Sequence, residues 1–331
     1  MKNILSRLYE HDKLSRAEAK EILVGIAENH YNEIQVAAFT TVFNMRPITL
    51  SELQGFRDAL LELCVPLDLQ GLDTVDVVGT GGDGKNTFNI STASCVVLAG
   101  AGYKVSKHGS YGVSSAVGSS DVLLQLGYKF TNDQDTLRRQ LETANMCFLH
   151  APLFHPALKA VVPVRRQLGT KTFFNMLGPL VNPVQPRFQL FGTFSMELLR
   201  MYQYIMQQSG RRFAIVYALD GYDEVSLTGD FKICTNDSER ILSPRELGFP
   251  LVKQSDLHGG ETAQEAGDIF LNVLQDKATM AQKNAVLANA GLAIQVVRPE
   301  RSLEDCIAEA RESIESGRAN QLLRRLLEIS A

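Results

Sequence analysis

The segment from Val75 to Gly100 constrains this chain more than any other. A short apolar run, Val75 to Val78, reads as a buried strand. It empties into four glycines between Gly79 and Gly84, then into Asn89-Ile90-Ser91-Thr92 and an apolar, small-residue helix. A strand, a glycine-rich turn and a helix in that order belong to a parallel α/β sheet. Backbone N–H groups in such a turn, beside a helix N-terminus, make a site for a phosphate-bearing ligand.

The spacing narrows the ligand. Gly79-x-Gly81-x-x-Gly84 matches the dinucleotide fingerprint, which needs an acidic residue about 20 positions on. Between Gly84 and Ser120 there is no Asp or Glu, which argues against NAD. The interval from Gly79 to Lys85 has P-loop spacing, but Asn86 stands where Ser or Thr must reach magnesium. Phosphate binding survives both tests. Tyr103-Lys104-Val105 reads as a second strand. It leads into Lys107-His108-Gly109-Ser110-Tyr111-Gly112-Val113-Ser114-Ser115 and then Gly118-Ser119-Ser120. Serine hydroxyls and backbone N–H groups donate to phosphate oxygens, and Lys107 adds a point charge. Two such loops, each after a strand and each with a lysine, suit one extended phosphorylated ligand.

The remaining sequence supplies the frame. Up to about Pro66 it reads as three short helices, with capping boxes at Ser15-Glu18 and Thr49-Glu52 and a start at Asn32. Helices this short need further chain or a second subunit to bury their apolar faces. From Asp73 onward strands and helices alternate. Val75–Val78, Tyr103–Ser106, Met146–His150, Gln189–Phe194 and Phe213–Leu219 are the expected strands, with Val225–Cys234 as further strand. Helices are expected at Ala93–Gly100, Ser120–Leu126, Gln264–Leu274, Met280–Leu292 and Leu303–Leu327. The expected fold is therefore α/β: a mainly parallel central sheet flanked by helices, with a smaller all-helical N-terminal domain. A net charge of −4 over 331 residues argues against a nucleic-acid-wrapping surface. Five scattered cysteines without a CxxC pair fit reduced thiols in the cytoplasm. The N-terminus does not read as a signal peptide, and no apolar stretch is long enough for a membrane span.

Asp220-Gly221-Tyr222-Asp223-Glu224 follows the apolar strand at 214–219. Adjacent carboxylates at the carboxyl end of a strand suit a hard cation such as Mg2+, which also favours phosphate oxygens. Between Pro163 and Pro183, cations mix with apolar and turn residues, and Arg165 beside an apolar wall would suit an aromatic carboxylate. His108 and His155 have no evident acid–base partner, and no nucleophile triad is recognisable.

Taken together, Gly79-Thr-Gly-Gly-Asp83, Asn89-Ile-Ser-Thr92, Lys107-His-Gly109, Arg165 with the run from Phe174 to Pro183, and Asp223-Glu224 resemble the anthranilate phosphoribosyltransferase family. That family shares its fold with the pyrimidine nucleoside phosphorylases, and the resemblance spans essentially the whole chain. It implies transfer of the 5-phosphoribosyl group of 5-phosphoribosyl diphosphate to anthranilate, releasing pyrophosphate. It implies that Gly79, Gly82, Asp83, Thr87, Asn89, Ile90, Ser91 and Thr92 bind the diphosphate and ribose. Lys107, His108, Gly109, Ser110, Tyr111, Gly112, Val113, Ser114, Ser115 and Ser119 would hold the rest of that substrate. Gly79, Ser110 and Arg165 would bind anthranilate, and Ser91, Asp223 and Glu224 would bind Mg2+, with no residue acting as acid or base. The resemblance also implies a homodimer built through residues 1–66, joined by a mid-chain helical segment around 163–186, with residues 67–331 forming the α/β domain that binds 5-phosphoribosyl diphosphate. No nucleic-acid or membrane partner is implied. Two departures stand out: Ser110-Tyr111 replaces a common Asn-Arg, and Ala116 replaces a common lysine. The rival readings are nucleoside phosphorolysis on the same fold and a non-catalytic, nucleic-acid-binding relative.

Overall fold

The computed structural model describes residues 1–112 and 117–330. Val113, Ser114 and Ser115, assigned above to the second loop, lie outside the described residues, as does Ala116. The chain divides into two compact units, Met1–Leu67 with Ala151–Pro183 and Asp68–His150 with Val184–Ala331.

In the first unit the chain forms α1 (Lys2–Tyr9), α2 (Arg16–Ala27), α3 (Glu33–Met45) and α4 (Leu50–Glu62). Capping boxes start α2 at Ser15, α3 at Asn32 and α4 at Thr49, each satisfying amides that the first turn leaves free. The sequence reading found three of these helices. It missed α1, an eight-residue helix that no side-chain cap marks at its start and that fully buries only Leu8 of its stripe Ile4, Leu5 and Leu8. Phe39, Phe43 and Phe56 meet Phe173, whose ring stacks on that of Phe56 at 4.4 Å. Each large apolar side chain buried this way contributes roughly 1.5–3 kcal/mol. Residues 163–186 are not one helix. After α8 (Ala151–Phe154), α9 (Val162–Leu168) ends at Gly169 in the left-handed region (φ 61°), and only short turns at Phe173–Met176 and Gly178–Val181 follow.

The second unit is a seven-stranded sheet in the order β3-β2-β1-β4-β5-β6-β7. The strands are β1 (Val75–Gly79), β2 (Val105–Gly109), β3 (Met146–His150), β4 (Phe188–Gly192), β5 (Arg212–Ala218), β6 (Phe231–Thr235) and β7 (Glu239–Leu242). The first five are mutually parallel, and β6 and β7 add antiparallel edge strands. The sheet is mainly parallel, as the alternation implies. Helix α5 (Ile90–Gly100) connects β1 to β2, α6 (Ser119–Gln125) and α7 (Gln134–Ala144) connect β2 to β3, and α10 (Met196–Gln207) connects β4 to β5. Helices α11 (Ala263–Leu274), α12 (Met280–Val297), α13 (Leu303–Glu315) and α14 (Arg318–Ser330) complete the unit. Helices α5 and α12 are apolar on nearly every side because both are sunk in the core.

Three sequence expectations shift. Lys107, His108 and Gly109 are strand residues of β2, not loop. Residues 225–230 are not strand, and pairing begins at Phe231. The expected helix Leu303–Leu327 is two, broken at Gly317 (φ 76°). From β1 the chain winds outward through β2 and β3, then returns to β4 on the other side of β1. Such a reversal opens a crevice beyond the carboxyl ends of β1 and β4, where α/β sheets bind ligands.

Candidate active site

The loop after β1 and the Asp223-Glu224 pair meet in that crevice. Gly79 ends β1 and Gly192 ends β4. A Cβ at Gly79 would lie 2.3 Å from Asp223 Oδ2, and one at Gly192 would lie 1.5 Å from the Asp223 carbonyl oxygen. Glycine at these strand ends is what lets the acidic turn close over them. The Gly81 amide donates to Asp223 Oδ2 at 2.6 Å. The Ser91 amide, at the start of α5, donates to Glu224 Oε1 at 3.0 Å. Ser91 and Glu224, predicted to share a metal, are thus neighbours.

Asp83 belongs to the same cluster. The Lys85 amide donates to its Oδ1 at 3.0 Å. Its Oδ2, like Glu224 Oε2, is buried with no hydrogen-bond donor among the described residues. Burial, and then the nearby Asp83 charge, push Asp223 up to about 7. Burial and the Asp223 charge push Glu224 well above the carboxylate range, against the pull of the Ser91 amide. Carboxylates crowded and desolvated in this way are short of positive charge. Orphaned oxygens and repelling charges fit a divalent cation, and Lys85 sits 4.8 Å from the centroid of the Tyr222 ring in the same acidic turn. No group of three His, Cys, Asp or Glu side chains forms a ready metal cage among the described residues. A cation here would take its remaining ligands from phosphate and water, as Mg2+ commonly does.

The other predicted residues of this unit lie on the loop after β1, on α5, at the end of β2 and in the stretch from there to α6. Gly82 lies in the β1 loop with φ 80°. Thr87 forms an antiparallel bridge with His258, and the Gly259 amide donates to the Asn86 carbonyl at 2.8 Å. The 258–260 strip therefore fixes the outer edge of the loop. The family resemblance extends over Gly259-Gly260-Glu261 but implies no role for it. Asn89 precedes α5 without capping it, and its amide lies 3.5 Å from the Val117 carbonyl. Ile90 is buried in the core, and its N–H donates to Phe88 O at 2.6 Å. Thr92 is buried beside it in α5.

At the end of β2, Lys107 is buried, donates to the His108 carbonyl at 3.1 Å and lies 3.9 Å from Asp76 Oδ1. His108 is buried as well. The Ser110 carbonyl accepts from Ser119 Oγ at 3.3 Å and from the Ser120 amide at 3.1 Å. Tyr111 meets His150 edge-to-face at 4.9 Å, and the His150 ring stacks on Phe130 at 4.2 Å. In the helical unit, Arg165 on α9 donates to Asn175 Oδ1 at 3.3 Å, and its guanidinium lies 5.6 Å from the centroid of Phe174. That is the cation beside an apolar wall that the sequence suggested. His155 is buried there, with Nε2 2.8 Å from the Val181 carbonyl, a structural contact.

Known proteins share both units. The description "Glycosyl transferase family, helical bundle domain" matches residues 2–64, and "Glycosyl transferase family, a/b domain" matches residues 71–320. The chain is 57% identical over 325 residues to the anthranilate phosphoribosyltransferase of Cytophaga hutchinsonii, covering 98% of this chain and 99% of that one. It is 56% identical over 330 residues to that of Bacteroides thetaiotaomicron, covering 100% and 99%. The crystal structure of the Thermus thermophilus enzyme superposes with a TM-score of 0.90 at 30% identity, covering 98% of both chains. The Saccharomyces cerevisiae enzyme in complex with PRPP and Mg superposes with a TM-score of 0.91 at 27% identity, covering 98% of this chain and 96% of that one. With whole-length identity above half and both domains matched, the chain belongs to the anthranilate phosphoribosyltransferase family of glycosyl transferases.

Proposed function

We propose that this chain transfers the 5-phosphoribosyl group of 5-phosphoribosyl diphosphate to the amine of anthranilate. The products are N-(5-phosphoribosyl)anthranilate and pyrophosphate, and the reaction is a step of tryptophan biosynthesis. The observation that carries this reading is identity of 50–57% over the full chain to enzymes of that name. The glycine loop and the buried acidic pair at the sheet's switch point support it chemically.

We assign Gly79, Gly82, Asp83, Thr87, Asn89, Ser91 and Thr92 to the diphosphate and ribose, with Ile90 contributing backbone only. Lys107 through Ser115, with Ser119, hold the rest of that substrate. Asp223 and Glu224, with Ser91, would hold Mg2+, which neutralises charge on the diphosphate leaving group. The Gly81 and Ser91 amides fix the two carboxylates in place, so little reorganisation is needed when substrate arrives. With a good leaving group and a ribose centre that becomes cationic, the chain's task is positioning and electrostatics rather than proton transfer. Arg165 pairs with the carboxylate of anthranilate, its guanidinium oriented by Asn175 and Phe174. Gly79 and Ser110 complete the acceptor site, Ser110 offering one hydroxyl where an amide is common. The enzyme acts as a homodimer in the cytoplasm. In support of that compartment, all five cysteines are free, as a reducing environment keeps them.

The test is loss of anthranilate fluorescence on mixing protein, 5-phosphoribosyl diphosphate and Mg2+, with and without chelator. Loss that needs Mg2+ and yields the phosphoribosyl adduct by mass supports the reading. Phosphorolysis of pyrimidine nucleosides without any loss of anthranilate would replace it.

A further inference from the structure

One carboxylate oxygen closes the second phosphate loop. Asp121 Oδ2 accepts from the Gly112 amide and from the Gly118 amide, both at 2.8 Å. Asp121 stands three residues into α6, so its bond to Gly118 is the familiar reach back to a helix start. Its bond to Gly112 is not. That amide lies nine residues away, on the β2 side of the loop. The same closure appears in the backbone, where the Ser110 carbonyl takes both the Ser120 amide and the Ser119 hydroxyl. The two limbs touch at Gly118, where a Cβ would lie 2.3 Å from the Gly112 nitrogen and 2.7 Å from the Ser110 carbonyl oxygen.

We infer that Asp121 is a positioning residue for 5-phosphoribosyl diphosphate. It holds Lys107 through Gly112 on one limb and Ser119 on the other at a fixed separation. Hydrogen bonds to an ionised carboxylate are stronger than neutral ones, and two amides share this oxygen. Groups held in place before binding lose less entropy on binding, so the gain appears as substrate affinity rather than chemical rate. The inference rests on the assignment of the Lys107–Ser119 limbs to this substrate.

Initial rates of full-length Asp121→Ala, Asp121→Asn and Lys107→Ala, varying each substrate in turn with Mg2+ present, test it. Asp121→Ala should raise the KM for 5-phosphoribosyl diphosphate ~10-fold or more, with a smaller rise in the anthranilate KM through Ser110 on the same limb and kcat changed less than ~3-fold. Asp121→Asn keeps an acceptor oxygen but loses the charge, and should fall between Asp121→Ala and the parent. An unmoved diphosphate-substrate KM in Asp121→Ala, or an equal rise for both substrates, overturns the inference. So does an Asp121→Ala protein that fails to fold while Asp121→Asn is kinetically unchanged, because Asp121 would then serve only the fold. Lys107→Ala separates the two levels. If it leaves the diphosphate-substrate KM unchanged, the loop assignment itself has failed; if it raises that KM while Asp121→Ala does not, only the role of Asp121 is lost.

Discussion

At the scale of single residues, the acidic pair is held by what its neighbours lack. Gly192 belongs to β4, yet a Cβ there would lie 1.5 Å from the Asp223 carbonyl oxygen. That obstacle is backbone, and no side-chain rotation relieves it. Gly192→Ala must move the turn that carries Asp223 and Glu224, both of which the proposed metal needs. A displacement near 1 Å at reacting groups costs on the order of 100-fold in rate. Gly192→Ala should therefore lose ~100-fold or more in kcat/KM with the protein still folded. Gly84→Ala is the control, since its Cβ would meet nothing within 4 Å and only the positive φ of 74° is strained. Equal activity losses in the two variants would show that loop flexibility, not clearance for Asp223, is what matters. Residues of this kind differ in how readable they are from sequence. Asp223-Glu224 and the Gly79–Gly84 loop announce themselves because the chemistry is contiguous in the chain. Asp121 and the 258–260 strip do not, since each works only through a distant loop brought to it by the fold.

At the scale of elements, strong local chemistry was legible and weak patterning was not. The capping boxes of α2 and α4 and the strand at Met146–His150 appear where their residues place them. The end of β2 slipped by three residues because Lys107 and His108 look like loop residues. They are tolerated at the end of a buried strand because Lys107 is satisfied by the His108 carbonyl and lies beside buried Asp76. A tie between elements is equally invisible in sequence. Glu52, fully buried on α4, accepts from the Leu14 amide ahead of α2, from Thr49 at its own cap, and from Arg46 after α3. Burial alone would raise its pKa, but the Arg46 bond and these backbone and hydroxyl donors together carry it below the usual range. A depressed carboxyl contributes stability above the pH range where an unfolded glutamate titrates, and loses it as pH falls through the folded value. Glu52→Gln leaves the Arg46 charge unpaired and should cost about 2–4 kcal/mol in chemical unfolding at neutral pH. The gap between parent and variant should narrow below about pH 4. A gap of the same size at pH 7 and in acid would mean that shape, not charge, makes the tie.

At the scale of the whole molecule, the fold class was readable because alternating strands and helices admit few arrangements. What composition alone left open is how the short N-terminal helices cover their outward faces. Helix α3 buries Val36, Phe39, Val42 and Phe43 on one side. On the other it leaves Ile34 81% and Met45 82% exposed, with Thr41 between them. Positions 34, 41 and 45 fall on one helical stripe, and Tyr9 of α1 is 58% exposed as well. Large apolar side chains aligned this way on a short helix suit a second copy of the chain, the homodimer proposed above. In a symmetric dimer each of these residues would be buried twice, so a charge there is repeated across the axis. Sedimentation of the parent should give twice the 36.5 kDa chain mass, and Ile34→Glu with Met45→Glu should give the chain mass alone while remaining folded. A parent that sediments as a single chain at micromolar concentration would remove the dimer, and a double variant that stays paired would move its interface off α3.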